Sequence, residues 1–167
     1  MEPAVSTDGI DELDGFAFER WVRSLFEHLG YETEQTSHWD PADLIATRAG
    51  RRIAVQVKHR SSRRWVGRRA LDAVLTGRAE HECNAAIIVT NGSFAPDMKK
   101  RARRHDVELW DRTRLEELTT PDECEICGQR VSVRVREWCL SRPDEFNGRV
   151  FCFDHQHSLA GVLRVAD

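Results

Sequence analysis

The apolar positions change period several times between residues 15 and 118, and each change marks an element. Phe18, Trp21, Val22, Leu25, Phe26 and Leu29 recur every three or four residues, the stripe of an amphipathic helix. Asp14 stands at its N-cap position and Gly30 at its end. Residues 31–36 read as a first strand, broken by Ser37-His38-Trp39-Asp40-Pro41. Residues 43–58 hold two strand-like runs meeting at Ala49-Gly50. In the second, Ile53, Val55 and Val57 alternate with Ala54, Gln56 and Lys58, the period of a half-buried strand. A two-residue turn at Ala49-Gly50 pairs Arg48 with Arg51 and sets Asp43 opposite Gln56, on the same face. A bulged turn shifts that register. A second helix is expected over 66–80. Residues 84–90, with the continuous run Ala-Ala-Ile-Ile-Val, suit a strand buried on both faces. A basic helix over 94–105, a short strand over 107–110 and a last helical turn or two over 112–118 complete the series. Helix, three strands, helix, strand, helix, strand predicts an α/β domain with a mixed sheet covered by helices.

Charge sharpens this picture. The net charge of −3 hides opposite blocks: residues 1–50 carry a net −8 and residues 51–78 a net +8. A basic block directly after the polar hairpin face suits a polyanion, although a solvated basic helix has the same composition. Glu19 sits at the edge of the buried stripe of the first helix, where a carboxylate needs water, a cation or a metal. Pairing with Arg23 one turn on is the plainer account. Asp43, Gln56 and Lys58 combine an acid, an amide oxygen and an ammonium, a set that suits a hard metal ion and a phosphate. The 167 residues suffice for one cored domain and a small appendage. No apolar run reaches transmembrane length. The acidic N-terminus has none of the regions of a signal peptide, so the chain reads as cytoplasmic and not membrane-bound. Residues 1–12 read as a flexible tail.

Between residues 13 and 118 the chain resembles the PD-(D/E)XK nuclease superfamily, and most of all its Mrr-like restriction endonuclease branch. The residues that carry the resemblance are Gly15-Phe16-Ala17-Phe18-Glu19, Leu29-Gly30-Tyr31, Asp43-Leu44-Ile45, Val55-Gln56-Val57-Lys58, Val66-Gly67, Val89-Thr90, Phe94 and Leu115. The resemblance implies a restriction-endonuclease-like core and a Mg²⁺- or Mn²⁺-dependent DNA endonuclease of restriction or defence type. By position it makes Asp43 the principal metal ligand, Gln56 a ligand through its side-chain oxygen, and Glu19 the helix carboxylate. Lys58 acts on the attacking water and the phosphate. Gln56 stands where the superfamily usually has an acid. The loop before Asp43 is about one residue short of the branch's pattern, which leaves Asp40 unassigned. Arg60, Arg63, Arg64, Arg68 and Arg69 are candidate DNA-backbone contacts. Double-strand cleavage by a domain with one site implies a homodimer. A structure-specific nuclease such as a Holliday-junction resolvase has a similar core, and a non-catalytic DNA-binding or assembly protein could keep the fold.

From residue 121 the composition changes. Cys124-Glu-Ile-Cys127 and Cys152-Phe-Asp-His155 are two ligand pairs, with 24 residues between Cys127 and Cys152. Two such pairs supply a tetrahedral Zn²⁺ site. Cys139 and His157 are alternates, and Cys83 reads as an ordinary buried thiol of the first domain. The set is closed, so the expected role is structural, in a zinc module over 121–167. Strands over 131–135 and 149–153 are expected to bring the pairs together, with a short helix after Asp154. On the first of these strands Arg130, Arg134 and Arg136 would share one face.

Overall fold

The computed structural model describes residues 5–60, 65–119, 122–147 and 149–162. The chain divides into two compact units, Met1–Leu118 and Thr119–Asp167. In the first unit, helix α1 (Gly15–His28) is followed by strands β1 (Glu32–Gln35), β2 (Leu44–Arg48) and β3 (Arg51–Lys58). Helix α2 (Arg68–Glu80), strand β4 (Ala85–Thr90), helix α3 (Met98–Arg104), strand β5 (Val107–Trp110) and helix α4 (Arg112–Thr119) complete it. The five strands form one sheet in the order β1-β2-β3-β4-β5. β1, β2 and β3 are antiparallel neighbours, while β3, β4 and β5 run parallel. The predicted mixed α/β sheet is therefore the fold adopted.

The ends of α1 form as the local sequence dictates. The Asp14 carboxylate accepts from the Ala17 N–H at 2.7 Å. At the other end Gly30 takes a φ of 88°. The Gly30 N–H reaches the Glu27 carbonyl at 2.9 Å, and the Tyr31 N–H reaches Phe26 at 3.0 Å. This is a Schellman closure, sealed by the Phe26 and Tyr31 rings at 5.4 Å. The buried stripe of α1 covers one face of the sheet, where Phe26 stacks on Trp110 at 4.9 Å. The other face carries the core built by α2 and α3: Ala54, Ile45 and Ile88 pack with Val66, Leu71, Val74 and Met98.

Two expectations are corrected here. Residues 10–12 are not tail: Ile10–Glu12 form a 3-10 turn with Ile10 buried, and Asp11 pairs with Arg112 at 2.9 Å. The basic helix starts at Met98 rather than at residue 94, because Phe94 bridges to Val66. The Val66 N–H bonds the Ser93 carbonyl and the Ala95 N–H bonds that of Val66, both at 3.0 Å. The backbone there is spent on a tertiary ladder that local periodicity does not reveal.

In the second unit a two-stranded ladder, β6 (Asp122–Glu123) with β7 (Arg130–Val131), precedes helices α5 (Val133–Leu140), α6 (Pro143–Phe146) and α7 (Phe153–Val162). The expected strand over 131–135 is wrong after its first residue. Ser132 accepts from the Val135 N–H at 3.3 Å and caps a helix instead. Arg134 and Arg136 are helical, so no strand face aligns them with Arg130. Residues 149–152 are not strand either, and Phe153 opens α7.

Candidate active site and metal cluster

The β2–β3 hairpin places Asp43. Ala49 and Gly50 have φ of 47° and 78°, the two positive values that a type I′ turn requires. Arg48 then faces Arg51 and Leu44 faces Val55, and one step further Asp43 meets Gln56, as the two-residue turn predicts. The Asp43 carboxylate accepts from the Gln56 side-chain amide and from the Val57 N–H at 2.7 Å. Its own N–H donates to the Val55 carbonyl at 2.9 Å. β3 runs on past the start of β2, so Gln56 and Lys58 lie beyond the β2–β3 ladder while still pairing with Ile88 and Thr90 of β4. Gln56 is only 3% exposed. Its amide nitrogen donates to Asp43, which leaves the amide oxygen as the atom that could ligate a cation.

Glu19 reaches the same place from α1. Glu19, Asp43 and Val57 line one cleft together with Arg20, Arg23, Gln35 and Leu44. Burial raises the Glu19 carboxyl above its usual range, and the charge of Asp43 raises it further, against the lowering effect of Lys58 and His38. Burial likewise raises Asp43. The Val57 N–H and Lys58 offset this in part, while Asp40 adds to it. The plainer account of Glu19 does not hold: Arg23 bonds Glu27 and Thr33, each at 3.0 Å, and among the described residues Glu19 has no ion-pair partner. Two carboxylates pushed toward neutrality by burial and an amide oxygen, with the Lys58 ammonium nearby, form a set of hard oxygen donors. That donor set fits Mg²⁺ or Mn²⁺, which take carboxylate oxygens and keep several waters.

Several supporting residues escaped sequence reasoning. Asp40, left unassigned above, accepts from the Ala42 N–H at 2.9 Å and meets His81 Nε2 at 2.8 Å. It ties the loop before Asp43 to the end of α2. Thr36 donates to the Ala42 carbonyl. Gly77 of α2 lies against this loop, where an added Cβ would stand 2.7 Å from the Ala42 Cβ. A glycine inside a helix costs about 1 kcal/mol relative to alanine, and the close approach of Ala42 is the packing reason for this one. Asn91, buried at the end of β4, pairs with the Arg60 backbone through its Oδ1 (2.7 Å) and Nδ2 (3.0 Å) and also bonds Asp11 (2.8 Å). It fixes the chain two residues after Lys58.

Three of the five candidate DNA-contacting arginines lie among the described residues. Arg68 and Arg69 are exposed at the start of α2, and Arg68 lies 3.6 Å from Asp72 in a solvated pair. Arg60 is half-buried, with a buried Nε that has no hydrogen-bond partner among the described residues. Arg63 and Arg64 lie outside the described residues.

In the second unit the two ligand pairs converge. Ligand atoms of Cys124, Cys127, Cys152 and His155 all lie within 4.8 Å of one another. The Cys127 and Cys152 sulfurs are 3.8 Å apart. His155 Nδ1 is 3.4 Å from the Cys124 sulfur and 3.1 Å from that of Cys152. Tetrahedral zinc with bonds of ~2.3 Å to sulfur sets thiolates roughly 3.8 Å apart, so the cluster fits zinc. Burial pushes the Cys124 thiol up, but N–H groups of Cys152, Cys127 and Ile126 outweigh it and bring the thiol down to about 6, toward the thiolate that zinc binds. Cys139 is instead buried, with its sulfur against the Phe151 carbonyl at 3.5 Å and Gln156 at 3.4 Å. Phe146, Val150 and Phe151 complete a small core.

A mixed sheet with this acid–amide–lysine hairpin and a helix carboxylate defines a restriction-endonuclease-like domain. A family model described as restriction endonuclease, the Mrr catalytic domain, matches residues 10–119, and the chain belongs to that family. No curated protein matches it in sequence. Among solved structures it is similar to a protein of unknown function, AF1548, with a TM-score of 0.51 and 22% identity over 81% of this chain and 79% of that one. It is also similar to the DNA modification-dependent restriction endonuclease AspBHI, with a TM-score of 0.55 and 16% identity over 64% of this chain. The match spans about a third of AspBHI (32%). At these identities the likeness is one of fold.

Proposed function

We propose that the chain is a divalent-metal-dependent endonuclease of restriction or defence type that hydrolyses phosphodiester bonds in DNA. The observation that carries this reading is the meeting of Asp43, Gln56, Glu19 and Lys58 at one end of the sheet, within a domain of the restriction endonuclease family. Asp43, Glu19 and the Gln56 oxygen would hold Mg²⁺ or Mn²⁺. When bound, the metal activates water and offsets charge that builds on the phosphate. The Val57 N–H orients the Asp43 carboxylate, and Gln56 supplies an oxygen without a further negative charge. The Lys58 ammonium positions the attacking water and donates to the scissile phosphate, stabilising its growing charge. Arg68 and Arg69, with Arg60, Arg63 and Arg64, would bind the flanking backbone, so binding should weaken steeply with salt. Cutting both strands would require two copies, a homodimer. The Cys/His cluster would hold a structural zinc.

The test is cleavage of supercoiled, linear and branched DNA with and without Mg²⁺ or Mn²⁺. The parent should cut only with metal, and Asp43→Ala and Lys58→Ala should not cut. DNA that is bound but never cut, with both variants behaving as the parent does, would make this a non-catalytic DNA-binding protein. Cleavage confined to branched DNA would make it a junction-specific nuclease.

A further inference from the structure

Beside the carboxylate cleft stands a group of exposed rings that the hydrolytic chemistry does not use. Phe16 is 64% exposed and Trp39 is 89% exposed. The His38 ring links them, tilted against Phe16 with centroids 6.4 Å apart and edge-on to Trp39 at 5.2 Å. Large apolar side chains scattered singly on a surface call for no explanation. Three rings in one chain of contacts, two of them mostly in water, are a contiguous patch, and such patches mark interaction sites.

Position says what the patch would meet. Phe16 precedes Glu19 by three residues on α1, so the two share a helix face. Trp39 is in the loop that leads through Asp40 and Ala42 to Asp43. The ridge is therefore attached at both ends to elements that carry catalytic carboxylates. Arg20, next to Glu19, is exposed and has no ion-pair partner among the described residues. A strand whose phosphate enters the cleft would carry its neighbouring bases past these rings. Paired bases present edges, whereas an unpaired base presents a π-face that an aromatic ring can stack on whatever its identity.

We propose that Phe16, His38 and Trp39 form a stacking platform for unpaired bases of the DNA strand held at the carboxylate site, with Trp39 as its principal contact. This rests on the nuclease reading and adds a preference for locally unpaired strand. The ridge would hold a frayed, gapped or extruded base beside the scissile phosphate without reading its sequence.

The test measures binding without added Mg²⁺ or Mn²⁺ and without chelator, so that it does not depend on cleavage. Two oligonucleotides of equal length are compared, oligothymidine and its abasic counterpart, which has the same phosphates and no bases. The parent should prefer oligothymidine by about 5- to 150-fold per stacked base. Trp39→Ala should lose most of that preference and Phe16→Ala part of it. Affinity for the abasic strand, and the slope of log affinity against log salt, should stay as in the parent, because the phosphate contacts are intact. The proposal is overturned if the parent binds both strands equally or neither. It is also overturned if Trp39→Ala weakens both equally, or if Trp39→Ala dissociates a dimer, which would make the ridge a contact between copies. Metal-dependent cleavage of duplex without base-dependent binding would defeat the platform and leave the nuclease reading standing. Base-dependent binding without any cleavage would do the reverse.

Discussion

Gly77 offers a test of how the acid is held, because its effects on stability and on activity should separate. A Cβ at this position would lie 2.7 Å from the Ala42 Cβ and 3.0 Å from the Ala42 nitrogen. Carbon atoms rest about 3.5–4.0 Å apart, so helix or loop must yield by roughly 0.8–1.3 Å in Gly77→Ala. Overpacking of this kind costs about 1–3 kcal/mol, while alanine in place of glycine inside a helix returns about 1 kcal/mol. The net loss of stability should therefore lie between about zero and 2 kcal/mol, too little to unfold an ordinary domain. The displaced atoms, however, belong to the residue before Asp43. A misplacement of about 1 Å at a reacting centre can cost on the order of 100-fold in rate. Urea unfolding should show a small shift, whereas metal-dependent DNA cleavage and Mn²⁺ binding should both fall sharply. Adding Ala42→Gly, which removes the nearest atom, should restore part of each. Parental cleavage and Mn²⁺ affinity in Gly77→Ala would refute the claim that the helix–loop contact positions Asp43.

Two further outcomes concern protons and zinc. Burial raises Asp43 above 3.8 and Glu19 above 4.5 in the folded protein. The folded, metal-free chain thus keeps protons that the unfolded chain has lost, and these groups contribute stability that declines as pH rises from those values through the raised ones. Without added Mg²⁺ or Mn²⁺, Asp43→Asn should become progressively more stable relative to the parent as pH rises through that window, and a difference independent of pH would refute the assignment. Protein purified without chelators should contain about one zinc per chain by elemental analysis, and Cys152→Ser should contain little. Since zinc binding is worth ~10–16 kcal/mol in finger peptides, chelation should expose residues 119–167 to protease. Zinc absent from the parent would exclude the cluster.

Much of this protein is written in local sequence. Asp14 and Gly30 bound α1 by satisfying free backbone groups within a few residues. Ala49-Gly50 sets a turn whose two-residue length aligns Asp43 with Gln56, and period-two alternation then assigns the faces of β3. The two cysteine-containing pairs announce their cluster by spacing alone. In each case the deciding atoms lie close along the chain or repeat at a fixed period. Where alternation misled, at 131–135, the Ser132 cap was present in the sequence but competed with a valine pattern equally suited to a strand.

Other features depended on atoms far apart in sequence. Phe94 left the helix expected to contain it because Val66, 28 positions earlier, claimed the adjoining backbone. Gly77 is an ordinary weak point in a helix until the fold brings Ala42 against it. Glu19 could have paired with Arg23, and what distinguishes it is the packing of α1 onto the sheet, which brings its carboxylate beside Asp43 and Lys58. Sequence determined the hairpin that carries the acid, the amide and the lysine. Only the tertiary structure decided that a second carboxylate and a ridge of exposed rings stand beside them, because burial and charge act across space rather than along the chain.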